Sequence, residues 1–400
     1  MRIYDTGTPS QRESVISAVE RDHEARVRAH LAAVIRAAGG WIGFDRFMEL
    51  ALYAPGLGYY SAGAHKLGPG GDFTTAPEIS RLFGAAVAEA GAGVLEALGG
   101  GAILEIGAGS GRLAGDIIDF LDARGIVPTR YWILDVSADL RDRQRAYLSE
   151  RLGTRIERVE WLDEPPATGF DGLIVANEVL DALPVVRFRW RRAGVEELGV
   201  ECRDGDRFAW SARPAEPSLA AACEALRDAA GGGWADGYES EWCPRLPPWT
   251  AEVTQSLRRG AVLWFDYGLP RAHYYLAERR QGTLICHHRH RATDDPFAHP
   301  GLEDITAWVD FTALAEAGDR AGFDVAGYTT QAYFLAGHGI DAHLRELADA
   351  DPLRAARLAN EARRLMMPGE MGERFKAMAW TRRLTDALSG FALRDLRHTL

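Results

Sequence analysis

Lysine, cysteine and long apolar runs are all scarce in this 400-residue chain, and each scarcity excludes something. Lysine occurs only at Lys66 and Lys376, so arginine carries nearly all of the positive charge. The cysteines, Cys202, Cys223, Cys243 and Cys286, contain no C-x-x-C pair and read as reduced thiols rather than a disulfide framework. The longest stretch free of Asp, Glu, Lys, Arg and His runs from Leu50 to Ala64, and Pro55 and several glycines interrupt it. No membrane-spanning helix fits there. The first twenty residues show neither an export core nor a basic, Ser-rich import pattern, so a cytoplasmic protein is expected. Basic residues are outnumbered, 46 against 57 acidic, for a formal charge of −11. A continuous nucleic-acid-binding face is therefore not expected, though a local basic patch is allowed. What remains is ordinary globular composition, 47% apolar and 26% charged, on a chain long enough for a full core.

Val27, Leu31, Val34 and Ile35 share one helical face with Gly39-Gly40 as the stop, and Phe44, Phe47, Met48, Ala51 and Leu52 repeat the pattern before Pro55. Residues 56–77 are glycine-rich and aperiodic, a length of loop that usually carries function. A helix is expected from about Ile79 to Leu98. Short apolar runs then alternate with helical patterns. Strands are expected at Ala102–Ile106, Tyr131–Val136, near Arg155–Val159, at Gly172–Ala176, at Ala261–Phe265 and near Asp324–Gln331. Helices are marked by Leu113, Ile117, Phe120 and Leu121, and expected over Asp139–Arg151 and Asp310–Arg320. This alternation means an α/β fold, a parallel sheet wound on both faces. Between its halves Val186, Phe188 and Trp190 alternate with arginines, and Asp204-Gly205-Asp206 signals a hairpin before Phe208 and Trp210. With a helix near Pro217–Ala230, this reads as an inserted α+β subdomain. The expected divisions are 1–78, 79–186, 187–250 and 251–400.

The first core strand runs into Glu105-Ile106-Gly107-Ala108-Gly109-Ser110-Gly111, and a helix opens directly afterwards. Glycines let the backbone pass close to a ligand, and the helix start offers unpaired N–H groups. A dinucleotide fingerprint would need its third glycine where this chain has Arg112, and an apolar residue at Glu105. The acid-x-G-x-G-x-G spacing instead suits S-adenosyl-L-methionine (SAM). That cofactor has no pyrophosphate to seat, and Glu105 can hold its cationic amino-acid end directly or through water. Asp135 ends the next strand and can accept from two ribose hydroxyls, which both cofactor classes present. Gly107, Ala108, Gly109 and Gly111 are the expected cradle.

Gly172–Ala176 ends in Asn177-Glu178-Val179-Leu180-Asp181-Ala182-Leu183-Pro184. Ligands of a doubly wound sheet bind beyond the strands' carboxyl ends, so Asn177, Glu178 and Asp181 are expected to face the cofactor. A helical turn would put Glu178 and Asp181 on one face. Methyl transfer depends on positioning and charge placement, and two carboxylates suit the planar fork of a guanidinium. Either acid could instead cap the following turn. Asp266-Tyr267-Gly268 ends a later strand and is also expected at the cleft, with a buried tyrosine hydrogen bond as the plainer reading. Glu239 and Glu241 precede a proline-rich loop. Lys66 and Asp72 in the glycine-rich loop could be simply solvated, and Trp242, Trp249 and Trp264 read as packing. Cys286, His287, His288, His290 and His299 match no metal-site spacing, with Arg289 and Arg291 interleaved, so no metal is expected.

The chain resembles the MidA family of SAM-dependent methyltransferases, which includes a mitochondrial assembly factor for respiratory complex I. The resemblance is carried by Gly58-Tyr59-Tyr60-Ser61, Lys66, the run Gly71-Asp72-Phe73-Thr74-Thr75-Ala76-Pro77-Glu78-Ile79, and Asn177 to Val185. Asp266-Tyr267-Gly268, Gly282-Thr283-Leu284 and the segment from Pro300 to Phe311 extend it over nearly the whole chain after about residue 25. It implies a class I methyltransferase sheet with an N-terminal helical extension and an inserted subdomain, and methylation of arginine on a protein partner, an oxidoreductase subunit among the candidates. It implies that Thr75 and Glu78 lie near the methionine end of SAM. It also implies that Glu178, Asp181 and Glu241 face the acceptor, and Tyr267, by its place at a strand end, is expected to bind substrate there too. The acid at Asp135 is shorter than the Glu expected of many relatives. A small-molecule methyltransferase and a non-enzymatic SAM-binding assembly chaperone are the competing expectations, separable by pocket shape and by turnover; a nicotinamide titration separates a dehydrogenase.

Overall fold

The computed structural model describes residues 17–61, 74–289, 291–384 and 388–400. The expectations placed on Lys66, on 71–73 and on His290 lie outside these residues.

Helix α1 (Ala18–Ala37) starts at a capping box, in which Ser17 Oγ accepts from the Glu20 N–H at 3.2 Å and Glu20 accepts from the Ser17 N–H at 2.7 Å. Strand β1 (Trp41–Gly43) leads into α2 (Phe44–Tyr53), then α3 (Ala76–Ile79) and α4 (Arg81–Leu98). Ser80, extended at φ −159°, divides the helix expected from Ile79 onward, and its hydroxyl caps α4 through the Leu82 N–H at 3.2 Å. The core proceeds through β2 (Ala102–Ile106), α5 (Arg112–Ala123), β3 (Tyr131–Leu134), α6 (Ala138–Leu152), β4 (Val159–Leu162) and β5 (Phe170–Asn177). An excursion follows through β6 (Val186–Arg191), β7 (Gly194–Arg203), β8 (Arg207–Pro214), α7 (Pro217–Ala229), β9 (Tyr238–Trp242) and α8 (Leu246–Thr254). The core resumes at β10 (Leu257–Leu269) and α9 (Arg271–Tyr274). A small sheet of β11 (Ile285–His288), β12 (Arg291–Thr293) and β13 (Asp304–Thr306) intervenes. The remaining elements are β14 (Val309–Asp310), α10 (Phe311–Arg320), β15 (Asp324–Thr330), α11 (Gln331–Gly337), α12 (Ile340–Ala348), α13 (Pro352–Met366) and β16 (Phe375–Arg382).

The core sheet has the order β15-β16-β10-β5-β2-β3-β4, with β14 beside the end of β10. From β4 to β10 the strands run parallel, and β16 runs antiparallel between β10 and β15. Its central strands are covered on both faces, which is why β2 is buried at every position and reads as an unbroken apolar run around Glu105. The strand expected near Arg155–Val159 begins only at Val159. Gly153–Arg158 forms a 3-10 turn instead, because Arg155 and Arg158 reach back to Asp122 of α5 at 3.0 and 2.7 Å.

The second sheet is antiparallel, in the order β1-β7-β6-β9 with β8 on β7. Its first strand comes from the N-terminal region, so the helical extension and the excursion share one core. Phe44 of α2 meets Trp210 of β8 at 4.8 Å between ring centroids, and Phe47 meets Phe208 at 5.4 Å. That shared core holds the end of α2 above the carboxyl edge of the parallel sheet. The described residues contain no helix long and apolar enough to cross a membrane.

Candidate active site

Strand β2 is bonded to β3 on one side and β5 on the other, so chain connections diverge at its carboxyl end and open a crevice. A cavity of about 610 Å³ fills that crevice. Of the residues singled out in the sequence, Thr75, Glu78, Glu105, Gly107, Ala108, Gly109, Asp135, Asn177 and Glu178 line it.

The loop after β2 needs its glycines. Gly107 sits at φ +66°, and a Cβ there would lie 2.9 Å from Val179 Cγ2. Gly111 caps α5 at φ +84°, behind the cavity wall, where a left-handed turn favours glycine. Glu105 is 2% exposed and accepts the Tyr131 hydroxyl at 2.6 Å. Burial pushes its carboxyl up to about 7, against the pull of that hydroxyl. Asp135 receives the Ser137 N–H on Oδ1 at 2.9 Å and the Gln144 amide on Oδ2 at 2.8 Å. The same Gln144 amide nitrogen donates to the Gly109 carbonyl at 3.0 Å, while its oxygen accepts Trp161 Nε1–H at 3.0 Å. One fully buried amide thus ties the glycine loop to the acid of the next strand.

Helix α3 closes the crevice from the N-terminal side. Glu78 accepts the Ser110 hydroxyl and pairs with Arg112 at 3.0 Å, and the Ala76 N–H donates to Glu178 Oε1 at 3.3 Å. Thr75 is the N-cap residue, and its side chain makes no capping bond.

The exit of β5 departs from the expected helical turn. Glu178 takes φ +54°, its neighbours form no helix, and Glu178 and Asp181 do not present one shared face to the cavity. Glu178 points to the cavity wall, where the Asn177 side-chain amide donates to its Oε1 at 3.1 Å. Asn177 Oδ1 is buried with no partner among the described residues. Asp181 lies behind that wall, 6% exposed, beside the Tyr267 hydroxyl, which also meets Thr306. Asp266 is fully buried. Desolvation pushes Glu178 up to about 8, with Asp181 adding to it, and pushes Asp181 up to about 6, with the Tyr267 hydroxyl pulling back. Burial raises Asp266 too, helped by Asp181 and Glu178. Three carboxyls this close and this dry do not all ionise in the absence of a cation.

Glu241 does not line the cavity, contrary to its expected place at the acceptor. Its carboxylate, on β9, accepts the Thr283 N–H at 2.8 Å and the Thr283 hydroxyl at 3.2 Å from the segment before β11. Tyr267 is likewise off the wall, with its ring against Phe375 at 5.4 Å. His288 and His299 do meet, with ring centroids 4.9 Å apart, and His299 contacts Glu24 at 3.3 Å. No group of three or more His, Cys, Asp or Glu among the described residues is arranged to hold a metal.

Several lining residues are not marked by the sequence as part of the site, although Tyr60 falls in the family block Gly58-Tyr59-Tyr60-Ser61 and Trp249 reads as packing. Tyr53 and Tyr60 stack with centroids 5.5 Å apart and planes 21° from parallel. Their hydroxyls donate to the Ala182 carbonyl and to Asp304 Oδ1, each at 2.9 Å. Arg245, Pro248, Trp249 and Glu252 close the opposite side. Arg245 pairs with Glu49 at 2.6 Å and holds that carboxylate below its ordinary range. The aromatic spacing of α2 marks Tyr53 as a helix-end residue, but nothing local marks it as cavity wall.

The residue set fits SAM. The glycine loop leaves room for a backbone-hugging ligand, Asp135 stands on the wall as an acidic acceptor at the place of a diol, and the orphaned Asn177 Oδ1 and the Glu105 carboxyl are acceptors for a cationic end.

Comparison with known proteins agrees. Residues 86–329 match a family described as "Putative S-adenosyl-L-methionine-dependent methyltransferase". The chain is 30% identical over 382 residues to the mitochondrial protein arginine methyltransferase NDUFAF7 of Danio rerio, covering 87% of this chain and 85% of that one. It is 29% identical to the Homo sapiens protein of the same name, covering 88% and 82%. A crystal structure from Burkholderia thailandensis with S-adenosyl-homocysteine bound superposes with a TM-score of 0.91 at 42% identity, over 96% of this chain and 99% of the other.

Proposed function

The chain belongs to the MidA family of SAM-dependent methyltransferases, with the class I fold and SAM as its cofactor, and from that premise we propose that it methylates arginine side chains on a protein partner. The observation that carries the reading is Glu178, a desolvated carboxyl on the cavity wall with the carboxyls of Asp181 and Asp266 buried behind it. A dry cluster of acids is costly unless a cation comes to it, and a guanidinium can enter as a planar cation with donors to spare. The relatives named as protein arginine methyltransferases support the same acceptor. An oxidoreductase subunit of the complex I type is the partner proposed.

Bound SAM supplies an electrophilic methyl group for in-line transfer. The chain's own residues hold and orient. Gly107 and Gly109 let the backbone approach, Asp135 accepts from the ribose, and Glu105 and Asn177 face the amino-acid end. Tyr53 and Tyr60 wall off water and offer ring surface to a cation. An arriving guanidinium draws Glu178 into its ionised form, and the carboxylate then fixes one N–H edge so that another nitrogen points along the transfer line. Once the new N–C bond forms, the methylated guanidinium has one proton to shed, and Glu178 is placed to take it.

The test is residue identity. Protein extract is incubated with methyl-tritiated SAM and the purified protein, then hydrolysed, and the labelled amino acids are separated. Label in methylarginine, absent with Glu178→Gln, is expected. Label confined to methyl-lysine or to small molecules would overturn the arginine reading.

A further inference from the structure

Three successive backbone N–H groups converge on one oxygen of Asp266. They belong to Val179, Leu180 and Asp181, at 3.2, 2.9 and 3.3 Å from Oδ2. The other oxygen accepts the Tyr267 N–H at 2.9 Å. Consecutive N–H groups turned onto a single acceptor form a nest, the concavity that backbone makes for an anion, and here a side chain of β10 fills it. Entry to the nest is Glu178, a non-glycine residue in the left-handed region at φ +54°. Such a residue persists only where its surroundings fix it. Its own N–H donates to the Phe265 carbonyl at 2.8 Å, and the next three close on Asp266.

That conformation decides where the Glu178 side chain goes. Leaving β5 in the left-handed region, it reaches the Ala76 N–H and the Asn177 amide on the cavity wall. Continued extended backbone would send the chain on along the direction of β5 instead. We infer that Asp266, fully buried and off the cavity wall, is a positioning residue that holds the turn after β5 in its nest and so aims the Glu178 carboxylate at the methyl acceptor. This rests on the reading of Glu178 as the acceptor-facing group. The nest itself does not depend on that reading.

A merely structural role would have Asp266 tie β5 to β10 without regard to what stands at 178. A double-mutant cycle separates the two. Glycine adopts φ +54° freely, so a Glu178→Gly background no longer needs the turn to be held. Asp266→Asn in the parent chain is expected to lower the melting midpoint by about 2–4 °C. It should also speed hydrogen exchange at residues 179–181 by about tenfold. In the Glu178→Gly background the same substitution should move the midpoint by less than half as much. SAM affinity of Asp266→Asn, by calorimetry, should stay within about threefold of the parent while turnover falls by about 10²-fold, the effect of a misplaced group. Equal shifts in both backgrounds, or unchanged exchange at 179–181, would overturn the assignment. Should Asp266→Asn alone fail to fold, the double variant is expected to fold, and its failure would count equally against the proposal. Absence of SAM binding or methyl transfer in the parent protein would sink the function proposed above, while the melting and exchange arms of the cycle would still test the nest.

Discussion

Gln144 gives the sharpest quantitative test of how the cofactor site is built. Its side chain serves three partners at once, the Gly109 carbonyl, Asp135 Oδ2 and the Trp161 indole N–H. Replacing it by leucine keeps the volume and removes all three bonds. Bonds to neutral groups contribute about 1 kcal/mol each and one to a charged group about 1.5–3 kcal/mol, so the folded state should lose about 3.5–5 kcal/mol. The share that reaches the ligand is whatever Asp135 and Gly109 lose in fixed geometry, about 1.5–3 kcal/mol, or roughly 10–100-fold in Kd. Gln144→Glu should do worse, since it sets a second carboxylate against Asp135 where an amide stood 2.8 Å away. The assay is calorimetric titration of each variant with S-adenosyl-homocysteine, with the melting midpoint recorded alongside. Affinity within about threefold of the parent for Gln144→Leu, in a folded protein, would refute the claim that this amide clamps the loop to the acid.

Four further outcomes follow from the same geometry. Gly107→Ala should destabilise by about 1–2 kcal/mol through the left-handed φ and should weaken SAM binding more than ten-fold, since Val179 must give way; a normal titration would contradict the loop's role. Trp380→Ala, in the core beside Trp264 at 5.1 Å, should cost about 3–5 kcal/mol in denaturant unfolding and leave SAM affinity untouched per folded molecule. Asp181→Asn should retain SAM binding and lose most transfer in the tritium assay, because Tyr267 and Glu178 lose their charged neighbour; full transfer would show that Asp181 behind the wall does not support Glu178. Lastly, burial raises Glu105 and Glu178 to about 7 and 8 and raises Asp181, while it lowers His338 and His343, which oppose them below about 6.5, and Lys376, which opposes them above about 8; stability of the ligand-free protein should therefore fall as pH rises from about 6.5 to 8. Glu20, lowered to about 2, acts only at the acidic end of the scale. A melting midpoint that climbs across that window would contradict the buried-acid account.

What is legible in the sequence is what is local. The alternation of strands and helices, the turn after β2 and the acid after β3 all depend on residues within a few positions of one another, and the sheet order places them together. The turn after β5 is not legible, because Asn177-Glu178-Val179-Leu180-Asp181 has the composition of a helical turn. Only Asp266, 86 positions beyond Leu180, draws it into a nest. Gln144 stands between Leu140 and Leu148 on the one buried face of a polar helix, so its spacing marks it as inward-facing, but its partners on the glycine loop and on β4 are set by packing. Tyr53 and Tyr60 reach the cavity because α2 shares a core with the antiparallel sheet, a contact between segments far apart in the chain. Matching sequence blocks put Glu241 at the acceptor, and its side chain instead satisfies Thr283 in the segment before β11. Non-local partners decide each of these.

Glu178 standing on the acceptor side of a SAM site built on the loop after β2 is the claim on which the rest depends. A crystal structure of the protein with S-adenosyl-homocysteine tests it directly. The ribose hydroxyls are predicted on Asp135, and the homocysteine sulfur is predicted to face Glu178 across a gap of about 6–7 Å, room for one guanidinium nitrogen in line. A ligand whose sulfur points away from Glu178, or whose ribose is held elsewhere than at Asp135, would contradict it.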